Sequence, residues 1–177
     1  MFGSAKIIST FDPALPYYSN VDLVDREILQ LLQEDASMSA RELGERVGLT
    51  ATPCWRRVQN LEKTGIISRR VALLEPSALN LDVTALVQIR TNDHSARWLA
   101  GFQAAISDFP EIVEATRTSG ETDYMLRVVV PDISAYDNFY KRLIDRVDLY
   151  DVRSVFVMEE LKRTTALPLD YTIFSPG

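Results

Sequence analysis

The chain has 177 residues, 46% of them hydrophobic and 25% charged, a balance that suits one large globular domain or two small ones. No apolar run reaches the ~18 residues a membrane helix needs. One cysteine, Cys54, and one histidine, His94, leave no disulfide framework and no usual structural metal site, while a net charge of −6 argues against a protein that coats nucleic acid indiscriminately.

Residues 1–20 show no hydrophobic periodicity and no long apolar block, so they are read as an N-terminal arm and not as a signal peptide. A first helix is expected to open near Asp22, with Val24, Ile28, Leu31 and Leu32 on one stripe. Ser39-Ala40-Arg41-Glu42 has the form of a capping box and opens a second helix, which carries Leu43 and Val47 and ends at Gly48. Thr50 or Thr52 is then placed to cap a third helix, with Pro53 tolerated in its first turn and Gly65 marking its end. Two helices joined by a tight glycine-containing turn, the second of them basic, form a helix-turn-helix pattern.

Charge is distributed to match. Residues 22–49 carry seven acidic and three basic side chains, whereas 50–71 carry five basic (Arg56, Arg57, Lys63, Arg69, Arg70) against one acidic, Glu62. A basic island in an acidic chain points to a local anionic partner, although a solvated helix face has the same composition.

Ile66–Leu74 is β-prone and contains Arg69 and Arg70, which suits a short wing or strand that closes a helix-turn-helix domain over 21–74. Residues 75–82 read as a linker. Beyond it the pattern becomes strand at Val83–Arg90, helix at Ala96–Ile106, strands at Ile112–Thr118 and Tyr124–Val130 around Gly120, helix at Ile133–Val147, and a long final strand at Tyr150–Leu161. That order, β-α-β-β-α-β over 83–163, is ferredoxin-like, with a tail at 164–177. The fold class is therefore α+β, a winged helix-turn-helix followed by a βαββαβ domain. Trp98, on the first helix of this half, reads as a packing residue.

On a wheel of about 100° per residue, Cys54, Val58 and Leu61 define the buried stripe of the third helix. Thr52, Arg56, Gln59 and Lys63 fall on the opposite side, with Trp55 on one flank and Arg57 on the other. Guanidinium, carboxamide, hydroxyl and ammonium groups are those that read base edges and grip phosphates. Thr50, Thr52, Trp55, Arg56, Arg57, Gln59, Lys63, Arg69 and Arg70 are thus the candidate contacts to double-stranded DNA. Cys54 could instead be a thiol activated by the helix N-terminus and two arginines, but its stripe points inward and favours a small buried hydrophobe. His94 lies in a polar stretch and reads as a surface residue.

The segment Gly48-Leu49-Thr50-Ala51-Thr52-Pro53-Cys54-Trp55-Arg56-Arg57-Val58, with Leu61-Glu62 and Gly65-Ile66-Ile67 after it, resembles the recognition segment of the Lrp/AsnC feast/famine regulators. Gly120-Glu121-Thr122-Asp123-Tyr124 is similar to the G-x-x-D-Y turn of that family's effector domain, and Lys162–Leu169 resembles the tails of one subgroup; the likeness spans about residues 21–169. The resemblance implies a cytoplasmic transcriptional regulator, not an enzyme, without metal or cofactor. It further implies a homo-oligomer (dimer, tetramer or octamer) with an effector, an amino acid, bound between subunits. The effector site implied is the turn carrying Ser119, Gly120, Thr122 and Asp123. Gly120 allows close backbone approach, the turn amides suit a carboxylate and Asp123 suits an ammonium group. The same residues would equally serve as a plain hairpin turn. Two other readings share the architecture: a siroheme-decarboxylase-like enzyme, and a nucleoid-type protein that binds DNA without a ligand.

Overall fold

In the computed structural model the described residues are 21–172, so the expected arm at 1–20 lies outside them. They form two compact units. One comprises residues 21–73 together with 162–172, the other 74–161.

The first unit holds three helices, α1 (Leu23–Glu34), α2 (Ala40–Val47) and α3 (Ala51–Lys63). α1 opens with a capping box that the sequence reading did not anticipate: the Asp22 carboxylate accepts from the Asp25 amide at 2.9 Å, and the Asp25 carboxylate accepts from the Asp22 amide at 3.3 Å. The Ser39–Glu42 box opens α2 as expected. The core consists of Val21, Ile28, Leu43, Cys54, Val58 and Leu61, with the rest of the α1 stripe packed against it.

The turn between α2 and α3 needs two glycines for different reasons. Gly48 adopts φ +73°, a left-handed conformation that other residues reach only with strain, and its amide donates to the Gly44 carbonyl. Gly44 is buried inside α2, and a Cβ there would lie 2.6 Å from the Leu49 carbonyl oxygen. The absence of a side chain at 44 lets the chain fold back and start α3 at once.

The second unit is a four-stranded antiparallel sheet in the order β2-β3-β1-β4, covered on one face by two helices. Its elements are β1 (Val83–Arg90), α4 (Ala96–Ser107), β2 (Ile112–Arg117), β3 (Tyr124–Val130), α5 (Ile133–Arg146) and β4 (Asp151–Phe156). Alternation along β1 and β3 buries Ala85, Val87, Ile89, Tyr124, Leu126, Val128 and Val130 under Phe102, Phe139 and Leu143 of the helices. Trp98 is a packing residue: it stacks on Phe102 at 5.1 Å, and its ring N–H donates to the Asp148 carbonyl at 3.1 Å.

Two expected elements differ. Residues 66–74 form no strand; Val71, Leu73 and Leu74 are 57–69% exposed, so no buried face rewards pairing. The Ile67 amide is fastened to the Leu61 carbonyl, and the segment then runs on without a ladder. The final strand ends at Phe156 instead of Leu161. Ala85 pairs with Phe156 and the Val157 amide reaches the Thr84 carbonyl, so β1 runs out of residues to pair and 158–161 continue without a ladder.

Candidate functional site

α3 begins at a turn, not at a side-chain cap. Thr50 is its N-cap residue, but its hydroxyl makes no capping hydrogen bond, and its carbonyl receives the Cys54 amide. The first-turn amides and the Thr50 hydroxyl are therefore left for a partner, and a helix N-terminus favours an anionic one. Burial of Cys54, Val58 and Leu61 fixes the helix rotation, so Thr52, Arg56, Gln59 and Lys63 lie exposed along one line. Trp55 stands beside them with 54% of its surface exposed, although it is large and apolar.

Not every member of the basic island is available. Arg57 donates to Asp22 at 2.6 Å and to Asp25 at 2.9 Å, bridging α3 to the N-cap of α1. Hydrogen bonds to Asp25 and then Asp22 raise the Arg57 pKa above its ordinary value. Burial pushes the Asp22 carboxyl upward, but the Asp25 amide and Arg57 outweigh it and hold it below the usual range. Arg57, one of the expected DNA contacts, is thus engaged within its own unit by two acidic residues at the start of α1, and the bridge ties α3 to that helix. Arg70 is also engaged, 2.9 Å from Glu62 and donating to the Ala36 carbonyl at 3.4 Å, while Gln59 donates to Glu62 at 3.0 Å. Among the described residues Arg56, Lys63 and Arg69 have no ion-pair partner, so they hold the uncompensated positive charge of this face.

Cys54 is fully buried, and burial pushes its thiol pKa up. Burial both shields the sulfur and disfavours the thiolate on which reactivity depends, so the activated-thiol alternative does not fit.

In the other unit the turn after β2 is closed by its own hydrogen bonds. The Thr118 amide donates to the Asp123 carbonyl at 2.9 Å, and the Thr118 hydroxyl donates to the Thr122 carbonyl. Gly120 has φ +109° with nothing near its missing Cβ, so its conformation, not close packing within the chain, is what calls for glycine. Asp123 accepts from the Thr91 amide at 2.9 Å, while its own amide donates to the Ile89 carbonyl. Its carboxylate is thus already used to tie the turn to the end of β1. Ser119 is exposed and Thr122 half-buried. Beside Thr122 is a polar recess lined by Gln88, Arg90, Glu121, Asp151 and Arg153, which the sequence reading missed because those residues come from two strands and a turn. Strand register alone could have grouped Gln88 with Arg153 and Arg90 with Asp151, which are cross-strand partners.

No helix among the described residues is long and apolar enough to cross a membrane, and no cluster of three or more His, Cys, Asp or Glu among them could hold a metal.

A capped helix-turn-helix with a polar, cationic second helix, joined in one chain to an antiparallel α+β unit, defines a DNA-binding transcriptional regulator. The profile of a winged helix-turn-helix DNA-binding domain matches residues 21–68, and that of the Lrp/AsnC ligand binding domain matches residues 84–167. The chain belongs to the Lrp/AsnC family. It is 46% identical over 151 residues to the DNA-binding transcriptional activator DecR of Escherichia coli K12, covering 85% of this chain and 99% of that one. It is also similar to the crystal structure of an AsnC family transcriptional regulator from Agrobacterium tumefaciens, with 54% identity, a TM-score of 0.84, and coverage of 86% and 100%. A transcriptional regulator from Neisseria meningitidis in complex with L-Met is 35% identical with a TM-score of 0.83, over 86% and 99% of the two chains. These relatives are named as transcriptional regulators, and this chain carries the winged helix-turn-helix match, which together set the enzyme reading aside.

Proposed function

We propose that this regulator reads DNA with the outward face of α3 and adjusts that reading in response to an amino acid bound by its α+β unit. The observation that carries the first half is the exposed line Thr52, Arg56, Gln59 and Lys63 on a helix whose rotation the core fixes. Arg56 suits guanine and Gln59 suits adenine in the major groove. Thr50, Lys63 and Arg69 suit phosphates, and Trp55 supplies apolar contact at the groove wall. Arg70 and Arg57 act from behind this face, through Glu62 and through Asp22 and Asp25.

The second half is supported by the ligand-binding profile over 84–167 and by the likeness to a relative solved with L-Met. The turn holding Ser119, Gly120, Thr122 and Asp123 forms one side of the site. Two features support operation as a homo-oligomer, and a cytoplasmic location is part of the same reading. A single helix-turn-helix reads few base pairs, so specificity needs copies related by a twofold axis. In addition, the sheet face opposite α4 and α5 presents Leu86, Met125, Val129 and Val155 around Arg127, a largely apolar surface that a second copy would cover. Selection of DNA fragments by the wild-type chain, followed by footprinting with and without each of the twenty L-amino acids, tests both halves. Uniform protection without preferred sites would favour a nucleoid-type role. Site-specific protection that no amino acid alters would remove the effector.

A further inference from the structure

We propose that Arg90 is the anchor for the effector's carboxylate and Glu121 the acceptor for its ammonium group, in the recess on the uncovered face of the sheet. The inference rests on the amino-acid reading above and says which side chains take the two charges.

The recess is lined by Gln88 and Arg90 of β1, Asp151 and Arg153 of β4, and Glu121 and Thr122 of the turn before β3. Its charges balance, two positive and two negative, which matches a zwitterion better than a cation or an anion alone. They are not equally engaged. Arg153 and Asp151 pair at 3.2 Å. The Arg90 guanidinium lies 5.5 Å over the exposed ring of Tyr150, and among the described residues it makes no ion pair. Glu121 lines the same recess and is not paired either. Opposite charges held in one recess without closing on each other leave a gap that a ligand with both charges bridges.

The obvious alternative acceptor, Asp123, is less suited. Its carboxylate is committed to the Thr91 amide and so fixes the turn that presents Glu121 and Thr122. The ring of Tyr150 orients Arg90, and the Tyr150 amide donates to the Arg90 carbonyl at 3.0 Å, which holds the strand end in place.

The recess has a volume of about 40 Å³, room for a few water molecules and so for a head group but not for a whole amino acid. The ligand's side chain must therefore lie outside it, against a surface this unit does not supply, and a second copy of the chain is the occupant that the oligomeric reading provides. Binding of the head group and contact with that copy are then coupled, so the ligand shifts assembly by its difference in affinity for the two states.

The test is calorimetry on the full chain with the twenty L-amino acids, then with the methyl ester of whichever binds. The wild type should bind the free acid about tenfold or more tightly than the ester, because the ester removes the charge that Arg90 receives. Arg90→Gln should lose that preference and bind the acid about as weakly as the ester, Arg90→Lys should regain part of it, and Glu121→Gln should weaken the amino acid. Equal binding of acid and ester by the wild type, or full affinity in a folded Arg90→Gln, overturns the assignment and leaves the effector reading standing. If no amino acid binds the wild type, the effector reading fails and takes this inference with it.

Discussion

The two units are held together in different ways, and the contrast explains what each can do. The helix-turn-helix unit buries six hydrophobic residues and adds polar ties: two capping boxes, the Arg57 bridge to Asp22 and Asp25, and the glycine turn. Its tail also participates, since Gln33 receives the Leu167 amide at 2.6 Å and returns a hydrogen bond to the Leu167 carbonyl at 3.2 Å, with Arg26 pairing Asp170 nearby. Among the described residues the α+β unit buries thirteen hydrophobic side chains in its core and relies on aromatic contacts in which Phe109, Tyr136 and Phe139 meet at 5.4 and 5.9 Å. A small core leaves polar ties to fix where α3 points, so DNA reading depends on individual hydrogen bonds. A larger core holds the sheet, and its polar residues are left over for a ligand.

That difference is breakable, first at its strongest point. Phe139→Ala should cost about 3–5 kcal/mol, because the ring is fully buried in the larger core. A thermal melt followed by near-ultraviolet dichroism should show the loss.

Gly44→Ala should cost about 1–3 kcal/mol, since the new methyl meets the Leu49 carbonyl. Its effect should be confined to the helix-turn-helix: DNA affinity falls while hydrogen exchange in β1 and β3 stays protected. Loss of protection in the sheet would show the two units to be less separable than described.

Arg57→Gln should be milder, on the order of 1 kcal/mol, because the pair is partly solvated. It carries a pH signature. The folded Asp22 pKa is lowered, so the stability it contributes is present above the unfolded carboxylate value and is lost as pH falls through the folded value. Chemical denaturation between neutral pH and the acid range should show the wild type losing that increment and Arg57→Gln losing less of it. Equal acid sensitivity in both would mean the bridge does not govern Asp22.

The smallest effect is expected at Lys63. Lys63→Ala should weaken all DNA sequences alike and lower the slope of log affinity against log salt by about one. A change of base preference would instead place it at a base edge.

Much of this was legible in the sequence because it rests on short-range rules. The Ser39–Glu42 box, the Gly48 turn and the 3.6-residue stripe of Cys54, Val58 and Leu61 are local, so the helix-turn-helix and its outward face emerge from spacing alone. The βαββαβ order was equally readable from alternation. What escaped notice is tertiary, with one local exception at the start of α1. Arg57 reads as one more cation on a basic helix until α1 brings two carboxylates against it. Asp22–Asp25 lacks the Ser/Thr and Glu/Gln of the usual box, so its reciprocal cap went unread. The β-prone residues 66–74 have the composition of a strand but no strand to pair with. The recess around Arg90 assembles from β1, β4 and a turn, and only strand register brings its residues together.

The central claim, that α3 reads bases through Arg56 while Arg57 only positions the helix, is tested most directly by one set of binding curves. Fluorescence anisotropy would follow wild type, Arg56→Ala and Arg57→Gln on a DNA fragment selected by the wild type and on a scrambled fragment. Arg56→Ala should lose about 1–3 kcal/mol on the selected fragment and much less on the scrambled one, narrowing the preference between them. Arg57→Gln should lower affinity for both and keep their ratio. Unchanged preference in Arg56→Ala, with a narrowed ratio in Arg57→Gln, would contradict the account.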